Sequence, residues 1–76
     1  MNRRTREPEY VLCVDNEGYA ASLVVRRVYR RLPDPEAAKR GLMRVIDESE
    51  EDYLFPSELF VPIKLPKPAR EKLAVG

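Results

Sequence analysis

Apolar residues in this chain gather in short runs divided by turn formers. Tyr10 to Asp15 is a Val-rich run of strand length that stops at Asp15-Asn16-Glu17-Gly18, where two turn formers precede a Gly that accepts positive φ. From Leu23 to Leu32 the pattern is divided. Val25, Val28, Tyr29 and Leu32 recur at helical spacing, but three Val and a Tyr in ten residues favour an extended arm, and Pro33 closes it. A strand is expected there.

Asp34 to Gly41 reads as one or two turns of helix. Asp34 caps the free amides and Pro35 sits where no amide hydrogen is needed. Glu36 faces the positive end of the dipole, Lys39 and Arg40 the negative end, and Gly41 suits a left-handed exit. Leu42 to Asp47 and Asp52 to Phe55 form a hairpin pattern around the polar loop Glu48-Ser49-Glu50-Glu51. Pro56-Ser57-Glu58 is expected as a single tight helical turn. A last strand, Leu59 to Ile63, puts Leu59, Val61 and Ile63 on one face and Pro62 opposite, and the proline marks an edge. Leu65 to Pro68 should be extended, with Ala69 to Ala74 a loose helical turn or a frayed end. The organisation expected is a basic flexible leader (1–9), a β domain (10–64) and a proline-containing tail (65–76).

Four or five short strands and one brief connector helix predict a mostly β fold, a small antiparallel barrel. The segment Asp52-Tyr53-Leu54-Phe55-Pro56-Ser57-Glu58-Leu59-Phe60-Val61 resembles the end of a Src-homology-3 domain, in which Pro-Ser opens a 3₁₀ turn and an aromatic-Val pair leads into the last strand. Ala21-Ser22-Leu23 through Leu32 looks like that family's second strand, and Leu42 to Asp47 with Asp52 to Phe55 like its central hairpin, so the resemblance implies a Src-homology-3-like barrel over about Tyr10 to Ile63. The family's peptide-binding members use a Trp that this chain lacks. Asn16 to Leu23 and Arg44 to Ser49, with Asp52-Tyr53-Leu54, also resemble a group of short bacterial proteins of unassigned function. That group carries Gly where this chain has Glu50, which implies a wider hairpin turn here.

Charge adds a second layer. The 76 residues carry 14 Lys and Arg against 13 Asp and Glu, a net +1. Residues 1–44 hold ten basic and six acidic side chains, and 45–76 hold four and seven. Arg3, Arg4 and Arg6 lie in the leader, while Arg26, Arg27, Arg30 and Arg31 surround the second strand. On a strand, Arg27 and Arg31 share a face with Tyr29, a pattern that combines phosphate attraction with base stacking. The same arginines are equally suited to pairing with the acidic hairpin. Tyr19 and Tyr53, which flank turns, and Phe60 are the candidate protein-contact residues.

Other chemistry is thinly represented. With no His, imidazole catalysis and the commonest metal ligand are closed. Five carboxylates between Asp47 and Asp52 lack the Gly bend and distant Glu of a calcium loop, so no metal and no cofactor is expected. Cys13, flanked by Leu12 and Val14, reads as a small core hydrophobe, and no nucleophile has a base beside it. The apolar run Tyr10 to Val14 is shorter than the ~7 to 15 residues of a secretory core or the ~20 of a membrane span. The expectation is therefore a cytoplasmic, non-catalytic binding or adaptor module, a monomer or weak homodimer. Its partner is expected to be an unidentified protein, with nucleic acid as the alternative.

Overall fold

The five strands lie in one antiparallel sheet whose order is β4-β3-β2-β1-β5. A computed structural model describes residues 10–75, so the basic leader lies outside the described residues. In chain order the elements are β1 (Tyr10–Cys13), β2 (Val28–Leu32), α1 (Pro35–Lys39), β3 (Leu42–Ile46), β4 (Asp52–Pro56), a 3₁₀ turn (Ser57–Leu59), β5 (Phe60–Ile63) and α2 (Lys67–Val75).

The sheet is not closed: β4 and β5 are its two edges, and no ladder joins them among the described residues. It is nonetheless curled. Four strand spacings would separate the edges of a flat sheet by roughly 19 Å, whereas the rings of Phe55 on β4 and Phe60 on β5 meet edge-to-face with centroids 6.2 Å apart. Inside the curl pack Val11, Cys13, Leu23, Tyr29, Val45, Phe55, Leu59 and Phe60, with Met43 against them. Each strand contributes to this cluster, as a chain with so little apolar surface requires.

Several expectations are borne out locally. The Asp34 carboxylate accepts the Ala37 amide (3.1 Å), and Pro35 opens α1. The Gly41 amide donates to the Ala38 carbonyl (3.1 Å) with Gly41 at φ 75. Pro56 and Ser57 lead into the 3₁₀ turn, and Pro62 does lie on an edge strand.

Others are corrected. β2 begins at Val28, because Val24 to Arg27 form a turn closed by the Arg27 amide on the Val24 carbonyl (3.2 Å). Arg26 and Arg27 together oppose Cys13: the Arg26 amide donates to the Cys13 carbonyl (2.7 Å), and the Cys13 amide to the Arg27 carbonyl (2.9 Å). This is a β-bulge with Arg26 at φ 73, in the left-handed position that usually takes Gly. The β3–β4 turn is not widened. The Glu50 amide donates to the Asp47 carbonyl (2.9 Å) and the Asp47 amide to the Glu51 carbonyl (3.0 Å), so Glu50 itself adopts φ 69. The 3₁₀ turn takes in Leu59 and sets the parity of β5: Phe60 is buried, whereas Val61 is exposed. Of the two readings of Ala69 to Ala74 the helical one holds, but the helix, α2, already begins at Lys67, within the stretch expected to be extended. Pro68 falls in its first turn, where no amide hydrogen is needed, and the Arg70 amide donates to the Pro66 carbonyl (3.0 Å). No helix among the described residues is long and apolar enough to cross a membrane.

Candidate functional site

β4 and the long 14–27 loop position the aromatic candidates. Tyr53 and Phe55 share a face of β4, opposite Val45 and Met43 of β3. Tyr19 meets Phe55 edge-to-face at 5.3 Å. The loop that carries Tyr19 is fastened at both ends of its bend: the Leu23 amide donates to the Tyr19 carbonyl (2.9 Å), and the Asn16 side-chain amide donates to the Leu23 carbonyl (2.8 Å). The Leu23 side chain is fully buried and anchors the loop in the core. Two tyrosines thus flank one core ring, Tyr19 36% and Tyr53 49% exposed. Phe60, the third candidate, is buried in the core and forms no part of this surface.

Leu54, between Tyr53 and Phe55, turns to the other face and is 39% exposed. Leu54 was not singled out from the sequence. Its place on an unpaired edge was the signal, and that depends on strand order. The Tyr53 hydroxyl donates to Glu51 (2.9 Å), and this bond to a carboxylate holds the phenol proton above its ordinary pKa.

The arginine cluster is dispersed by the fold. Arg26 and Arg27 belong to the bulge, and Arg30 and Arg31 point to opposite sides of β2. Arg27 forks onto both carboxylate oxygens of Glu48 at 3.2 Å, the pairing with the acidic hairpin that its charge suggested. The face expected to group Tyr29 with Arg27 and Arg31 is cut short, because Arg27 precedes β2, and on the strand Tyr29 turns inward. The Tyr29 ring is buried, so it has no face to offer a base. Its hydroxyl accepts the Val24 amide (2.8 Å) and donates to Glu48 (2.5 Å). Burial first, and then the bond to the carboxylate, push its pKa up to about 12.

Besides Glu51, which takes the Tyr53 hydroxyl, three of the five hairpin carboxylates are spent on separate partners. Asp47 is buried and accepts the Ser49 amide (2.8 Å) and hydroxyl (2.5 Å), Glu48 takes Arg27 and Tyr29, and Asp52 takes Arg44 (2.9 Å). Among the described residues no three His, Cys, Asp or Glu converge as a metal site. An open recess of about 300 Å³ lies between Arg31, Pro33, Asp34, Pro35 and Ala38, but its carboxylate is committed to the Ala37 amide and to Arg44 (2.9 Å). No protein-family model, no curated protein and no solved structure matches the chain.

Proposed function

We propose that this chain is a cytoplasmic, non-catalytic binding or adaptor module of Src-homology-3-like form that contacts another protein through the Tyr19, Tyr53 and Leu54 flank of β4. The fold reading is supported by the curl that brings Phe55 to Phe60, and by the succession of strand end, 3₁₀ turn and Phe60-Val61 strand start. The observation that carries the functional reading is the pair of part-exposed tyrosines beside one core ring, Tyr19 edge-to-face on Phe55 and Tyr53 next to Phe55 on the same face of β4. Tyr presents a large surface with few rotamers to lose and a polar tip for a rim, the combination that concentrates binding energy at protein interfaces. The nucleic-acid alternative loses its stacking residue to the core and Arg27 to Glu48.

The test is capture of partners from a cell lysate on the immobilised protein across ~50 to 200 mM salt, with Tyr19→Ala/Tyr53→Ala and Arg26→Glu/Arg27→Glu variants in parallel. A packed protein contact persists through the series and is lost in the tyrosine variant. Binding that collapses steeply with salt, is carried by nucleic acid and is lost in the arginine variant contradicts the proposal.

A further inference from the structure

The two sheet edges differ in what their backbones offer. The Val14 amide donates to the Leu59 carbonyl (2.8 Å), and the β1–β5 register makes Leu12 with Val61, and Tyr10 with Ile63, the next hydrogen-bonded pairs. Phe60 and Pro62 therefore turn their backbone groups off the sheet. The Phe60 amide is already bonded to the Ser57 carbonyl, and Pro62 has no amide hydrogen. The β5 edge has acceptors and no free donor, the arrangement that blocks strand addition.

On β4 the bonds from Asp47 to Glu51 (3.0 Å) and from Ser57 to Gly41 (2.9 Å) bracket a register in which Tyr53 and Phe55 bond to β3. Asp52 and Leu54 each turn an amide and a carbonyl outward, and Pro56 adds a carbonyl. No described bond occupies them. Glu50 and Glu51 just before β4 and Glu58 just after it are exposed, residues 45–63 contain no Lys or Arg, and the neighbouring Arg44 of β3 is taken up by Asp34 and Asp52. Pairing with a second copy's β4 would bring two such acidic segments alongside each other.

We infer that β4 accepts an extended, basic segment of a partner protein as an added strand, bonded to the backbone of Asp52 and Leu54 and held by Lys or Arg side chains against Glu50, Glu51 and Glu58. This rests on the protein-contact reading above and names the chemistry of its partner. The added strand supplies the missing donors and acceptors, and alternate side chains fall on the Tyr53 side and the Leu54 side. Leu54→Pro removes one outward donor while leaving the bonds to β3 in place.

The probe is a fluorescein-labelled peptide of alternating Lys and Val, seven residues long, titrated into the full chain at ~50 mM salt while amide exchange is followed by NMR. The expected result is saturable binding that slows exchange at Asp52 and Leu54 at least tenfold. Affinity should fall at least tenfold for Leu54→Pro, for a peptide with Glu in place of Lys, and for the Lys-Val peptide with every amide methylated. The methylated peptide needs no change in the protein, so the test stands even if the proline variant does not fold. Absence of binding, binding that leaves Asp52 and Leu54 unprotected, or self-association through β4 overturns the inference. A natural partner that is retained by Leu54→Pro but lost on Tyr19→Ala/Tyr53→Ala removes strand addition and leaves the protein-contact reading standing. A partner indifferent to both changes removes both.

Discussion

The Tyr29 hydroxyl donates to Glu48 at 2.5 Å while accepting the Val24 amide at 2.8 Å, joining β2 to the 14–27 loop and to the β3–β4 turn through one atom. A local contact to Val24 and a long-range one to Glu48 meet there, and Arg27 closes the group on its solvent side.

Tyr29→Phe leaves the Val24 amide without its acceptor and removes one of the two donors to Glu48 Oε2, which keeps Arg27. The expected loss is about 1–3 kcal/mol of stability, read from urea denaturation at neutral pH. The pH dependence has a definite sign. Because the folded-state pKa is raised from 10.0 to about 12, the stabilisation is complete below pH 10 and is lost as the pH rises through 12. A shift of that size corresponds to roughly 2–3 kcal/mol. The stability difference between wild type and Tyr29→Phe should therefore narrow across that window, and a constant difference would contradict the assignment.

Cys13 is fully buried, its thiol directed at the Asp15 carbonyl (3.3 Å), and burial pushes its pKa up. An aromatic disulfide reagent should label it only as fast as the protein opens, and labelling should accelerate with urea in step with unfolding. Rapid stoichiometric labelling of the native protein would show an accessible thiol.

Arg26 and Glu50 occupy left-handed positions at φ 73 and 69. Arg26→Gly and Glu50→Gly should each raise stability by about 0.5–1 kcal/mol, since Gly takes these angles without a Cβ clash. Thermal melts of both variants check this, and a fall in Tm at either position would mean that its side chain contributes more than its backbone angle costs.

Asp34 caps α1 and accepts Arg44 (2.9 Å), and these bonds, the Ala37 amide first, hold its pKa below the ordinary carboxylate value. Its contribution is present above that value and is lost as the pH falls through the folded-state pKa. Tm at pH 7 should follow wild type, then Asp34→Asn, then Asp34→Ala, because Asn still caps but no longer pairs with Arg44. An Asp34→Ala variant as stable as wild type would remove the cap from the account.

The helix α1 was legible because its signals are local: Asp34, Pro35 and Gly41 each act within one turn of their own position. The 14–27 loop was not. Val24 and Val25 favour a strand by composition, but Leu23 gains more by entering the core, and the chain then turns through Arg26 to reach β2. Tyr29 and Phe60 show the same limit. Alternation indicates which residues share a face, whereas curling of the sheet decides which face becomes interior. The acidic hairpin and the tyrosines were visible as residue types. That Leu54 lies beside them on an open edge depends on strand order, which a run of fifty-odd residues does not display.

The most direct measurement is native-state amide exchange along β4 of the free protein. The alternation derived for this edge predicts slow exchange at Tyr53 and Phe55, whose amides bond to β3, and fast exchange at Asp52 and Leu54, whose amides point off the sheet. Protection at Leu54 equal to that at Tyr53 would mean that the edge is already covered and would contradict the account.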